Sequence, residues 1–240
     1  MESVKSFFRR ALDALLLRED AYRAMRDGPN PVRRGLTFVV VIGLILGVAG
    51  LVGNLLWVWN APDFHAIQEA VWDGMMEMPW RDEIPPDELD EVDAGMRQGF
   101  DTGWRIANMF IPTPAKALGG LITTPLGMLI GWLVFGLLAH GSARLLGGTG
   151  TLSQTYGTTA LATAPRLFGV ASVIPDVSTA GLGTWVLICT YVALKNTHGL
   201  SPGRTFWATV LPIVVLFVVI VGLAMAIAAA VAMGLAAVAS

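Results

Sequence analysis

The chain has 240 residues, of which 54% are apolar and only 14% charged, with a formal net charge of −2 and a mean hydropathy of +0.62. A water-soluble globular chain carries roughly a quarter charged residues, so this one is too poor in charge to coat a water-facing surface, and too apolar for intrinsic disorder. The charge balance and the lack of a basic stripe interleaved with aromatics argue against nucleic acid as a partner. A single cysteine, Cys189, excludes an intramolecular disulfide, and the three histidines, His65, His140 and His198, are too far apart to form an HExxH pair.

Residues 1–34 hold eight Lys/Arg and five Asp/Glu. Val4, Phe7, Phe8, Ala11, Leu15, Tyr22 and Met25 recur at helical spacing, while Lys5, Arg9, Arg10 and Arg18 mostly face away from them. The pattern predicts one basic amphipathic helix, lying on an anionic lipid surface or packed on the cytoplasmic face of the protein itself. It is not a signal peptide, because charges interrupt it throughout. Gly28-Pro29-Asn30-Pro31 ends it. Residues 35–59 carry no charge and are long enough to cross a hydrocarbon core of roughly 30 Å. Trp57 and Trp59 close this first span where an indole prefers the interface.

The next segment, 60–116, holds twelve acids and four Lys/Arg. It predicts an acidic extracytoplasmic helical hairpin capping the membrane bundle. One helix covers 63–78, with Ile67, Val71 and Met75 on a face. The other starts at Pro85-Pro86 with Asp87 and Glu88 in its first turn, and carries Leu89, Val92, Met96, Phe100 and Ala107 at 3–4 spacing. The acids of 87–93 lack the glycine turn of an EF-hand and read as a solvated helix face. A second span follows at 118–138, with Pro125 inside it and a small-xxx-small step at Gly127 and Gly131. A third, broken span covers 151–175, a fourth 177–194 and a fifth 206–238, the last longer than a bilayer requires. With the N-terminus inside, inner segments hold eleven Lys/Arg, the long outer loop four, and the outer turn at Asp176 none. The positive-inside rule then gives five crossings, with the N-terminus cytoplasmic and the C-terminus extracytoplasmic.

The expected fold class is therefore all-α: a polytopic membrane helix bundle with an N-terminal amphipathic helix and an outer hairpin. By domain, this is 1–34, 35–59, 60–116 and a four-helix membrane region at 117–240. Helices in lipid associate through close packing, which small residues permit. Gly43, Gly47 and Gly50, with Asn54, form one such stripe, and Gly222, Ala226 and Ala230 another, serving internal contacts or self-association. In the third span Pro165 frees the Leu161 carbonyl, and Thr158, Thr159 and Tyr156 are candidates to reconnect freed groups. Arg166 is the only charge within any span, and mid-bilayer arginine costs at least about 2.5–3.5 kcal/mol. It either snorkels to the outer interface or forms, with Tyr156 and the Leu161 carbonyl, a polar site for an anionic lipid or small anion. No GxSxG, HExxH or Walker A sequence is present, so no catalytic, cofactor or metal residue is assigned.

The second half carries an ordered series: Ala143-Arg144-Leu145-Leu146-Gly147-Gly148, then Tyr156, Ala162-Thr163-Ala164-Pro165, Ile174-Pro175, Tyr191-Val192-Ala193-Leu194-Lys195, and on into 208–212. In order and spacing it resembles the prokaryotic form of the Yip family, the Ypt-interacting multi-pass membrane proteins. The resemblance implies a five-span integral membrane domain with a cytoplasmic N-terminus. Eukaryotic members act in vesicle traffic, binding prenylated small GTPases and shaping membranes; no catalytic residue is carried over. The expected function is that of a non-enzymatic cell-membrane protein that organises lipid or a membrane complex. Its partners are membrane lipid and another membrane protein or a second copy. The alternative is a transporter or channel component with a pathway along the broken third span.

Overall fold

The structure, a computed structural model, describes residues 4–79, 84–111, 113–174, 177 and 179–239. Among these residues it is helical throughout, with no strand. The chain divides into two compact units, one of residues 1–50 with 120–240 and the other of residues 51–119. Three helices are long and apolar enough to cross a membrane: α3 (Pro31–Trp59), α6 (Pro114–Leu145) and the first 29 residues of α9 (Pro202–Ala239).

In the larger unit the N-terminal amphipathic segment is two helices, α1 (Val4–Leu15) and α2 (Glu19–Arg26), rather than the single one expected. Leu17 breaks it, with φ 58 in the left-handed region, where a leucine cannot continue a right-handed helix. The turn is fastened by Arg18 Nη1 donating to Asp13 Oδ1 at 2.7 Å. Phe7, Ala11, Ala14, Tyr22 and Met25 are buried with Phe38 and Ile42 of α3, so this face packs on the protein itself. The Tyr22 hydroxyl donates to the Ala14 carbonyl at 3.0 Å, and burial raises its phenol above the usual range. Arg26 donates to the Asn196 carbonyl at 2.6 Å and holds the carboxyl of its neighbour Asp27 below the usual range.

The predicted broken third span is α7 (Leu152–Leu161) followed by a 3₁₀ helix, Ala164–Val173. Pro165 stands in the first turn of the 3₁₀ helix, where its missing N–H costs nothing. The Thr163 hydroxyl donates to the Ala160 carbonyl at 2.7 Å. The bonding at the break thus falls to Thr163, while Thr158 and Thr159 donate farther up α7, to Gln154 and Thr155 carbonyls. Thr151 and Gln154 form a reciprocal capping box at the start of α7. Thr151→Ala removes the side-chain half of that box and should cost about 1 kcal/mol, read as a lowered unfolding midpoint in detergent titrations.

α7 and the 3₁₀ helix run alongside α3 in the same direction: Gly157 abuts Pro31, Ala160 abuts Gly35, and Gly169 faces the Leu46 side chain. α8 (Leu182–His198) returns antiparallel to α7, Thr197 meeting Thr158 at 2.7 Å. It ends at Gly199, whose φ of 62 supplies the left-handed C-cap. α9 follows within a few residues. Pro175, which the sequence placed at the end of the third span, and Asp176, which it placed in an outer turn, lie outside the described residues.

The smaller unit holds α4 (Phe64–Met76) and α5 (Leu89–Asn108); α5 begins after Asp87 and Glu88, which the sequence placed in its first turn, and no residue of either helix is buried. Asp63 caps α4, accepting from the His65 and Ala66 backbone N–H groups. The two helices meet through Trp72 on Phe100, ring centroids 5.4 Å apart, and Gln68 on Asp101. Lys116 Nζ donates to the Met109 and Ile111 carbonyls at 2.6 and 2.8 Å, closing the end of α5.

Candidate functional site

The larger unit contains a cavity of about 660 Å³ between α6, the α7–3₁₀ break, α8 and Leu216 of α9. Met128, Trp132, Phe135, Val186, Leu187 and Leu216 supply apolar walls. Thr123, Thr124, Thr159, Thr163 and Thr190 add hydroxyls, and Arg166 the one formal charge. Thr159 and Thr190 each donate to the backbone one turn back, so those hydroxyls are spent locally. The guanidinium of Arg166 makes no hydrogen bond or ion pair with a described residue, and the residue is exposed to the cavity and surroundings. Gly127 and Gly131, the small-xxx-small step, face this space, and a Cβ on either would meet nothing within 4 Å. The size falls within the roughly 300–1,000 Å³ of small-ligand pockets.

The structure does not bring Tyr156 to Arg166. They stand ten positions apart, more than two helical turns or about 15 Å along the axis. The Tyr156 hydroxyl instead donates to the Leu133 carbonyl at 2.9 Å, and its ring packs edge-on against Trp132 and fills the space left by Gly136. Pro165 is buried beside Arg166 and does not line the cavity. Of the small-residue stripes, Gly43 lies against Pro125 of α6 and Gly47 against Gly120 and Leu121. A Cβ at Gly50 or Gly222 would meet nothing within 4 Å, and Ala226 and Ala230 are exposed.

A second polar group went unread in the sequence. The Thr155 hydroxyl lies 2.9 Å from His198 Nε2, 3.1 Å from His140 Nδ1 and 3.0 Å from the Thr151 carbonyl. One hydroxyl has one proton and two acceptor sites. It therefore donates to Thr151 and accepts from both imidazoles, which fixes the neutral tautomer of each. His198 is buried, and its Nδ1 faces the Cα of Gly148 with no partner among the described residues. Arg144 Nη1 donates to the Gly148 carbonyl at 3.2 Å and holds the 147–150 turn over the group. The signal was present as threonine at 155, 158 and 197 beside a histidine at 198. Helical periodicity within one segment does not show which of these face each other across two.

The three helices long and apolar enough to cross a membrane fit a helical integral membrane protein. The family model for the Yip1 domain matches residues 13–225. That is nearly the whole chain, so the protein belongs to the Yip1 domain family, and the match extends beyond the second half on which the sequence resemblance rested. Comparisons with the curated proteins and with the solved structures find no match.

Proposed function

We propose that this chain is a non-enzymatic, multi-pass cell-membrane protein that organises lipid. It crosses five times, with the N-terminus cytoplasmic and the C-terminus extracytoplasmic. The basic residues before α3 and around Arg144, Lys195 and Arg204 support the orientation. Ten α-helical and ten 3₁₀ residues give α7 and its continuation a reach of about 35 Å, enough for a hydrocarbon core of roughly 30 Å.

The observation that carries the lipid reading is Arg166 in the cavity. Ala164 shares a core cluster with Ile42, and Gly169 faces Leu46. Arg166 therefore stands 7–11 residues along α3 from Gly35, about 10–17 Å into the apolar stretch. At that depth the outer headgroups are beyond the reach of its side chain, and a bare guanidinium is costly. An anion in the cavity relieves that cost, and apolar walls beside the cation suit an anionic lipid with its chain along α6. The lining from Thr123 to Phe135 is about 18 Å long, slightly more than one leaflet's hydrocarbon.

The cavity also favours a second reading, a transport pathway along the α7–3₁₀ break. The two separate in one experiment on the protein purified in mild detergent, with lipid mass spectrometry of the eluate and anion-flux assays in vesicles. Lipid binding predicts an anionic lipid at near-stoichiometric ratio, lost in Arg166→Leu and kept in Arg105→Leu, with no flux. Flux that depends on Arg166 without a retained lipid would select transport. Unchanged lipid content in Arg166→Leu, with no flux, would overturn both.

A further inference from the structure

α1 has two apolar faces, and the structure uses only one. Phe7, Ala11 and Ala14 are buried against the bundle. On the other side Val4, Phe8, Leu12 and Leu16 follow at four-residue steps and are 71%, 51%, 55% and 52% exposed. Such spacing places four side chains in one row of a helix surface. Exposed Lys5 and Arg9 stand beside that row, and the acid of this helix, Asp13, is bonded to Arg18. The free face is therefore apolar and cationic together.

Its location narrows what covers it. The Phe7 ring packs on Phe38 at a centroid distance of 5.0 Å. Phe38 lies four residues past Arg34 on α3, about 6 Å farther along the membrane-crossing helix. The Phe7 end of α1 is thus within the depth of interfacial helices, about 5–10 Å, and its Leu15 end, against Cys189 and Trp185 nine to thirteen residues before the end of α8, dips deeper. The far end of α1 is held to α8, with Trp185 Nε1 donating to the Leu15 carbonyl at 3.1 Å and Cys189 Sγ to the Ala14 carbonyl at 3.7 Å. The helix cannot swing away from the bundle without losing those contacts. On α3, Leu36 and Leu44 flank Phe38 in sequence and are also exposed.

We infer that α1 is a fixed interfacial wedge. Its Val4–Phe8–Leu12–Leu16 row lies in one leaflet, running from the acyl boundary inward, and Lys5 and Arg9 hold anionic phospholipid headgroups at its shallow end. The occupant is the lipid of the membrane α3 crosses. The inference needs the membrane embedding of α3 and is independent of the Arg166 cavity. Its test uses the full chain in a Cys189→Ser background, whose hydroxyl keeps a donor facing the Ala14 carbonyl, reconstituted in vesicles of phosphatidylglycerol and phosphatidylcholine. Spin labels are placed singly by Phe8→Cys, Leu12→Cys and, on the exposed side of α2, Asp20→Cys. The labels at 8 and 12 leave the docked face of α1 untouched.

The expected result is greater contact with oxygen, which concentrates in lipid, than with an aqueous nickel chelate at positions 8 and 12, and the reverse at position 20. A label at position 8 should also meet quencher-bearing phosphatidylglycerol in preference to quencher-bearing phosphatidylcholine. Lys5→Gln with Arg9→Gln should weaken that preference by about fivefold per cation removed. Nickel contact at 8 and 12 equal to that at 20 would put the row in water and overturn the inference. Exclusion of both reagents with dipolar broadening between labels would overturn it in favour of a second copy. An anionic preference absent from the parent, or kept in the double variant, would overturn the headgroup role.

Discussion

Thr155→Val is expected to destabilise the protein by about 1–3 kcal/mol, although the two side chains have nearly the same shape. The variant removes one hydroxyl that serves three partners, His198, His140 and the Thr151 carbonyl. A buried polar group left without a partner costs about 1–3 kcal/mol. His198 Nε2 would bear that cost in full, because the residue is almost wholly buried and its other ring nitrogen already has no partner among the described residues. His140 is only partly buried, and water can take over its bond. Thr155→Ser keeps the hydroxyl and should recover most of the loss. Unfolding midpoints of the three proteins in one detergent are the measurement. Equal midpoints for the parent and Thr155→Val would show that the hydroxyl is not the hub of this group.

Gly43→Leu is expected to give little or no folded protein, and Gly43→Ala a loss of about 1–3 kcal/mol. The helices α3 and α6 touch backbone to backbone here. Even a methyl at Gly43 would lie 2.6 Å from the Cα of Pro125 and 2.9 Å from its Cβ. A proline ring has no rotamer by which to withdraw, so the helices must part, and parting undoes the neighbouring contact of Gly47 with Gly120 and Leu121. Gly222→Ala is the matched control. It makes the same chemical change in a membrane-crossing helix where nothing lies within 4 Å, and its stability in the monomer should stay within about 0.5 kcal/mol of the parent. Fluorescence-detected gel filtration after a heating series reads both.

The parts of the fold visible in the sequence are those written along a single segment. The uncharged run at 35–59 is α3, the prolines and acids of 60–116 delimit α4 and α5, and Pro165 marks the end of α7. What escaped depends on contacts between segments or on local backbone geometry. A leucine at position 17 carries no sign that it will take a left-handed turn, and so α1 and α2 read as one helix. Tyr156 and Arg166 looked like neighbours because both are polar in an apolar stretch, yet axial separation along α7 keeps them apart. The cavity needed Thr123 of α6, Val186 of α8 and Leu216 of α9 to be placed side by side. Only Arg166, an isolated charge in an apolar run, announced it from within one segment.

The ten residues of the 3₁₀ helix rise about 2.0 Å each, where an α-helix would rise about 1.5 Å. Winding them more tightly, at about 3.0 rather than 3.6 residues per turn, stretches the segment by about 5 Å at no cost in chain. The same residues rewound as α-helix would bring Val173 closer to Ala164 by that amount and rotate every side chain past Ala164 about the axis. The pitch of one short helix thus sets both how far this limb of the protein extends and the direction in which its arginine points.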